Sequence, residues 1–376
     1  MSSSIFANTF AGTIGFTVRP TNIVVESGIW MIGNSPTNGK INVSIDSGTT
    51  WIDYSSGLGS VYGITYGLTS NNTPLWVATG SSNISSSTDS GKTWSVVSGV
   101  SVTNIMYTAA YGKNSSGDNL FMVGGYSSSG NIIFSSSNGT TWTGIMTQSS
   151  PVLNAVYGIK YGKLGDGTNV WIAVGIISIA GGGAGLAYST NGSSWTQVDG
   201  RTSIPSSTTI TGITYGIDDA GNKRWVLAAD KNTTSSPCIY TLINPTTSSL
   251  NTWSAVTTTL MTGKCFAVTF GRSSSGNVFV AAGGVGTGTG NVIVSFDGTT
   301  ATGFVPIPGN NIPYQGSSVG YLNTGDATTS RFYATQFGKA NKILTSQYGS
   351  SWSEIDFTYV TAGNSVNGAI VSSIPY

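Results

Sequence analysis

The sequence predicts an all-β fold, a seven-bladed β-propeller with four-stranded antiparallel blades, and three periodic signals carry that prediction. The first is a box of the form S-x-D-x-G-x-x-W, which reads SIDSGTTW at 44–51 and STDSGKTW at 87–94. Worn copies read SSSNGTTW at 135–142, YSTNGSSW at 188–195 and TSQYGSSW at 345–352. Trp253 stands alone after a Thr/Ser-rich stretch, and SFDG at 295–298, which contains Asp297, has no tryptophan. The tryptophans at 51, 94, 142, 195, 253 and 352 are separated by 43, 48, 53, 58 and 99 residues. The last gap spans two periods with the SFDG copy between them, which makes seven repeats. The second signal is an aromatic leading apolar and small residues, as in WMIG (Trp30), WVATG (Trp76), FMVGG (Phe121), WIAVG (Trp171), WVLAA (Trp225), FVAAGG (Phe279) and FYATQ (Phe332). The third precedes it, as YGITYG (62–67), TAAYG (108–112), YGIKYG (157–162), TGITYG (211–216) and FAVTFG (266–271). Signals sharing one such period indicate a solenoid, propeller or array, and four strands per repeat indicate a propeller.

Each repeat resolves into four strands in order. Strand A is the GITYG segment and strand B the WVAVG segment; strand C is the alternating run before the box, and strand D begins at the box tryptophan. Short β-favouring runs separated by Gly, Asn, Ser and Asp clusters are the strand-and-turn pattern. No long stretch keeps helical spacing without a glycine, so almost no helix is expected. The predicted blades fall near 28–60, 61–103, 104–152, 153–206, 207–261, 262–316 and 317–361, within one domain covering 1–376. Residues 1–25 are left as an N-terminal arm or added strand. The tail at 365–373 contains VNGAIV, which matches the strand A pattern, and is expected to close the ring as the innermost strand of blade 1.

Composition removes several functions. Charged residues are 8% of the chain, against about 25% in typical soluble proteins. In their place stand 56 Ser, 50 Thr, 52 Gly and 28 Asn, together about half of the 376 residues. With 15 Lys and Arg against 14 Asp and Glu there is no electrostatic footprint for nucleic acid. There is no histidine, and the two cysteines, Cys238 and Cys265, form no disulfide framework. Usual zinc and copper sites and His-dependent triads are thereby excluded, so no metal or cofactor is expected. The N-terminus lacks the basic region of a secretory signal. The uncharged stretch from Val170 to Tyr188 meets the length of a membrane span, but its GGGAG break reads better as a loop between two strands. No membrane insertion is expected.

The box has a physical logic. Asp46 and Asp89 can accept backbone N–H bonds within their own tight turn. Gly48, Gly91, Gly139, Gly192 and Gly349 supply a positive φ that closes the C–D hairpin. Ser44 and Ser87 open the intact copies, and Trp51, Trp94, Trp142, Trp195, Trp253 and Trp352 supply apolar surface to bury between neighbouring sheets. Counting back from the glycine puts Ser137, Thr190 and Gln347 in the aspartate position of three copies. Such replacement suits a turn and is incompatible with a catalytic or metal role. These residues resemble the Asp-box, or bacterial neuraminidase repeat, of sialidases, related glycosidases and sortilin-type receptors. The resemblance implies a propeller with the box between the third and fourth strands, away from any catalytic centre. The combined pattern in a charge-poor, Ser/Thr/Gly-rich chain also resembles repeat proteins of large DNA viruses and tailed phages.

A sialidase, by that resemblance, would need an arginine triad, a tyrosine activated by glutamate, and an acid. The arginines are Arg19, Arg201, Arg224, Arg272 and Arg331, and Arg224, Arg272 and Arg331 are expected at A–B turns on the box face. Other glycosidases need two carboxylates about 5–10 Å apart. Asp199, Asp230, Asp53, Glu354 and Asp356 are the candidates, the last three on outer strands of blades 1 and 7, where a cluster is conceivable. The expectation is a protein without catalytic residues: a virion-associated structural or host-attachment protein presenting a binding surface, on a virion surface or extracellular. Its partners would be other virion or surface proteins and glycans, with the oligomeric state open. The alternative is a secreted glycan-binding or glycoside-hydrolase-like propeller.

Overall fold

The computed structural model describes residues 29–372 with interruptions, the longer ones at 34–38, 148–152, 178–182, 231–236, 257–263, 296–315, 324–329, 337–341 and 357–369. Among the described residues every element is a strand except one 3-10 turn at Thr247–Ser249. The chain opens with β1 (Trp30–Gly33), β2 (Lys40–Ser44) and β3 (Ile52–Ser55). Four-stranded meanders follow: β4 (Val61–Leu68), β5 (Pro74–Gly80), β6 (Ile84–Ser87) and β7 (Ser95–Val96); then β8 (Ile105–Lys113), β9 (Asn119–Tyr126), β10 (Asn131–Ser136) and β11 (Thr143–Thr147). Next come β12 (Ala155–Lys163), β13 (Asn169–Ile176), β14 (Ala184–Ser189) and β15 (Thr196–Gln197), then β16 (Thr209–Ile217), β17 (Lys223–Asp230), β18 (Ile239–Ile243) and β19 (Ser254–Ala255). The last are β20 (Lys264–Ser273), β21 (Gly276–Val285) and β22 (Thr289–Ser295); β23 (Gly316–Leu322), β24 (Arg331–Gln336), β25 (Lys342–Ser346) and β26 (Ser353–Asp356); and β27 (Ile370–Ser372).

The result is a propeller-like arrangement of small antiparallel sheets. Strands β4–β7, β16–β19 and β23–β26 each form a four-stranded sheet, and β20–β22 a three-stranded one. The meanders β8–β11 and β12–β15 are joined into one sheet by a single pair, Ala155 with Tyr126. β27 pairs with β1, Ile370 opposite Ile32 and Ser372 opposite Trp30, so the first and last described strands share a sheet with β2 and β3. The innermost strands touch in the order β27, β4, β8, β12, β16, β20, β23 and back to β27. The apolar stretch at 170–188 lies largely in β13 and β14, paired antiparallel from Trp171 with Ser189 to Ile176 with Ala184. Among the described residues no helix is long and apolar enough to cross a membrane.

The core lies between sheets. Each hydrophobic cluster joins two neighbouring meanders: Leu75, Val77 and Ile84 with Phe121 and Val123, and Ile172 and Leu186 with Trp225 and Tyr240. The second strand of each meander is therefore buried on both faces, which explains its unbroken apolar run. Trp30, Trp76, Trp171 and Trp225, with Phe121, Phe279 and Phe332, are all at most 1% exposed. Each of these rings after Trp30 has an aromatic from the first strand as its direct cross-strand partner. Tyr66–Trp76, Tyr161–Trp171, Tyr215–Trp225 and Phe270–Phe279 have centroids 4.8–4.9 Å apart, the tilted geometry that aromatic pairs favour. Trp171 and Trp225 also donate Nε1–H to the carbonyls of Lys113 and Lys163 in the preceding meander, at 2.8 and 3.1 Å.

The glycine that follows the first-strand tyrosine or phenylalanine is a socket for the next sheet. A Cβ on Gly67 would fall inside the ring of Tyr111; the same relation holds for Gly112 and Tyr161, Gly162 and Tyr215, Gly216 and Phe270, and Gly271 and Tyr321. Close packing around the centre thus requires a residue without a side chain at this position.

Candidate functional site

Two constructions repeat around the molecule, one at each end of its strands. The first is the box turn between the third and fourth strands. Ser44 Oγ accepts from the Gly48 N–H at 2.8 Å and donates to Asp46 Oδ1 at 2.9 Å. Asp46 accepts the Thr50 N–H at 2.8 Å and its hydroxyl at 2.6 Å, and Trp51 Nε1 donates to the Gly48 carbonyl at 3.0 Å. Ser87, Asp89, Gly91, Thr93 and Trp94 repeat this network bond for bond. Gly48 and Gly91 have φ of 82° and 79°, a region closed to most side chains. Burial works to raise the Asp46 and Asp89 carboxyls, but the threonine and serine hydrogen bonds outweigh it and hold both below their ordinary range.

The worn copies differ from the sequence reading by one residue. Their serine is Ser136, Ser189 or Ser346, three residues before the glycine, and its Oγ still accepts the N–H of Gly139, Gly192 or Gly349. The aspartate's role passes to Asn138 and Asn191, adjacent to the glycine, which accept the N–H groups of Thr141 and Ser194. Ser137 and Thr190 do not substitute for the aspartate: a one-residue shortening of the turn moves the acceptor. Tyr348 stands in the corresponding position before Gly349, and it is exposed. In the fifth repeat the 3-10 turn replaces the box, yet Trp253 Nε1 still donates to the carbonyl three residues back, at Leu250. Trp142 and Trp352 make the same bond to Gly139 and Gly349, while Trp195 Nε1 does not. Trp51 and Trp253 are buried as expected, whereas Trp94, Trp142, Trp195 and Trp352 are only half-buried. These four cap the outer ends of the inter-sheet clusters, whose centres belong to the second-strand aromatics. Asp297 lies outside the described residues.

The carboxylates considered for catalysis lie on or beside several different strands. Asp53, on β3, pairs with Lys40 of β2. Asp199 accepts from Gln197 Nε2 at 2.7 Å, and Glu354 and Asp356 lie on the outer strand β26, opposite Leu344 and Lys342. Among the described residues no group of three or more metal-ligating side chains gathers. Arg224 sits at an A–B hairpin on the box face, buried, with Nη2 2.7 Å from Asp218 Oδ2. It serves that hairpin. Arg272 and Arg331 also bond locally, to Asn277 and to the Ser330 carbonyl.

The second construction is at the opposite end. Every described first strand from β4 to β23 carries a β-bulge at its start, and the extra residues are Tyr62, Tyr107, Tyr157, Thr211, Phe266 and Ser317. A bulge sets two residues opposite one on the partner strand, bends the strand locally and re-aims a side chain. The first five of these residues line a central cavity of about 480 Å³, together with Thr108, Thr209, Ser318 and Asp230. The rings of Tyr62, Tyr107 and Tyr157 form an arc along one wall, with centroids 5.8 and 5.1 Å apart and planes tilted by 60° and 56°. Burial raises the Tyr107 and Tyr157 phenols, and for Tyr107 the neighbouring tyrosines add to it, so both stay neutral through physiological pH. The lining comes from the beginnings of first strands and the end of a second strand, so the cavity opens away from the box turns.

Solved structures with the same strand arrangement are propellers. The BP39L lectin from Burkholderia pseudomallei aligns with a TM-score of 0.62 at 12% identity, over 89% of this chain and 97% of that one. The fold is that of β-propeller proteins. AFV00434, an ancestral GH74 enzyme, aligns at a TM-score of 0.56 and 14% identity over 87% of this chain, which spans only 44% of the enzyme. U3-55K aligns at 0.50 and 10% identity, over 83% of this chain and 85% of that one. These likenesses concern fold. No family model and no curated protein matches the sequence.

Proposed function

We propose that this chain is a single-domain, seven-bladed propeller of Asp-box type that binds and does not catalyse, displayed on the exterior of a virus particle as a structural or host-attachment protein. Counting the two joined meanders separately and β20–β22 as one incomplete blade supports the seven-bladed reading. The box network of serine, acid, glycine and tryptophan supports the Asp-box assignment. One observation carries the functional reading: among the described residues the central cavity is lined by aromatic rings, hydroxyls and small apolar residues with one carboxylate, Asp230. A glycosidase of either stereochemistry needs two. The charge-poor, hydroxyl-rich composition supports an assembled or exposed setting, with protein or glycan partners.

Proteomics of purified particles tests this reading directly, with the protein expected at fixed stoichiometry. Recovery only as a soluble secreted species that hydrolyses aryl glycosides would overturn it in favour of the hydrolase-like alternative.

A further inference from the structure

We infer that the arc of Tyr62, Tyr107 and Tyr157 along one wall of the central cavity is a binding site for a neutral saccharide. The inference rests on the reading of the chain as a binding propeller and names what it binds. Three features of the cavity carry it.

The first is that the aromatics are placed by the backbone. Tyr62 and Tyr66 are four residues apart, as are Tyr107 and Tyr111, and Tyr157 and Tyr161. In a regular strand residues four apart share a face, so both rings would enter the wedge between sheets. The bulge reverses the earlier one and leaves it at the cavity, while the later one packs on its second-strand partner. Filling the core does not require this, because the inter-sheet clusters are complete without these three rings. All three are half-buried.

The second is the shape. The rings lie on the first strands of three successive meanders, with planes turned by 60° and 56° from one to the next. One ring can therefore stack on the flat C–H face of a pyranose while its neighbour meets the edge of the sugar. The far wall offers Thr209, Thr211 and Ser318 for the hydroxyl edge of a sugar. Thr211 already donates its hydroxyl hydrogen to the Cys265 carbonyl at 2.6 Å, so it can only accept from a ligand. A volume of about 480 Å³ lies within the range of small-ligand pockets, roughly 300–1,000 Å³, and admits a mono- or disaccharide.

The third is charge. Asp230 is the one charged side chain among the described lining residues. Lys160, which follows Ile159 on β12, is outside that lining, and its burial disfavours the ammonium form. Among the described lining residues, sialic and uronic acids would meet a carboxylate and no cation. The selected class is therefore uncharged.

Isothermal titration of the full chain against methyl hexosides, neutral disaccharides, sialyllactose and tetramethylammonium tests the inference. Neutral sugars should bind, and sialyllactose should bind at least tenfold more weakly than lactose. Tyr107→Ala should weaken the best neutral ligand by about tenfold, the scale of one aromatic contact, whereas Tyr107→Phe should stay within about threefold. Tyr157→Ala provides a second test, and near-UV circular dichroism identifies a variant that has not folded. Binding of tetramethylammonium or sialyllactose in preference to lactose would overturn the inference, as would neutral-sugar binding indifferent to both alanine variants. Absence of any saccharide binding by the wild-type chain would overturn it too, and would leave the particle-associated role to be judged by the proteomics alone.

Discussion

The ring of Tyr161 occupies the space that a side chain on Gly112 would fill. The same contact recurs between successive sheets, so the glycine after the first-strand tyrosine or phenylalanine sets how closely the sheets approach. Gly112 carries no positive φ, and its demand is steric alone. Gly112→Val should therefore destabilise by the overpacking cost of about 1–3 kcal/mol. Gly59→Ala, where the new Cβ would meet only the Ser81 Cβ at 3.8 Å, should be nearly neutral. Thermal melts of the two variants compare them; equal melting temperatures would refute the socket.

This contact shows which parts of the fold the sequence made legible. The strand and turn pattern, the boxes and the near absence of helix follow from local periodicity, because each is written within one repeat. The role of Gly112 is a relation between repeats, which a single repeat read alone does not display. The half-burial of Trp142 and Trp195 was missed for the same reason: a large ring on an outer strand has no sequence mark separating it from Trp171 on an inner one. The Asn138 and Asn191 acceptors were misplaced because counting from glycine assumes a turn of constant length. The tyrosine arc had a signal, the repeated aromatic four residues ahead of the strand A aromatic. Strict period-2 alternation would put both rings on one face, and only the bulge separates them.

The box should show its chemistry in acid. Gly48 N–H is buried against Ser44 Oγ, so Ser44→Ala leaves that donor unmatched and should cost about 1–3 kcal/mol. The depressed carboxyls of Asp46 and Asp89 stabilise the fold above the ordinary aspartate pKa of about 3.9, and that stability is lost as pH falls through their lower folded values. Denaturant midpoints measured from pH 6 to pH 2 should fall on this limb, and the Asp46→Asn/Asp89→Asn variant should flatten it. A limb of unchanged steepness would refute the assignment.

The two thiols should be silent. Cys265 is fully buried, and burial, with Cys238 nearby adding to it, holds its thiol well above the ordinary range. Attack on a disulfide reagent needs a thiolate and access, and neither is present in the folded state. Incubation with DTNB at pH 8 should release no colour until guanidinium is added, and then two equivalents, one each from Cys238 and Cys265. Prompt native reaction would contradict the buried placement.

The ion pair between Arg224 and Asp218 should be the most sensitive polar contact of the fifth repeat. Both side chains are 4% exposed, and Arg224 reaches Asp218 Oδ2 through Nη2 at 2.7 Å and Nε at 3.3 Å. Asn222 supplies its N–H at 2.8 Å and its side-chain amide at 3.0 Å, which leaves the carboxylate well surrounded. Burial raises this carboxyl, but the Asn222 and Arg224 hydrogen bonds outweigh it, and the folded value lies below the ordinary one. Removing the cation by Arg224→Met keeps the length of the side chain and strands a buried negative charge, at a cost of about 3–5 kcal/mol near neutral pH. The sign of the pH dependence then separates charge from packing. In the wild type this stability is present above the ordinary aspartate pKa and lost as pH falls through the depressed folded value. In Arg224→Met the carboxyl loses its partner while burial remains, so its folded pKa rises and protonation at low pH relieves the strain. The gap between variant and wild type should therefore narrow as pH falls, and Arg224→Met/Asp218→Asn should recover part of the loss at pH 7. A gap independent of pH, with no recovery in the double variant, would assign the effect to packing of the arginine stem alone.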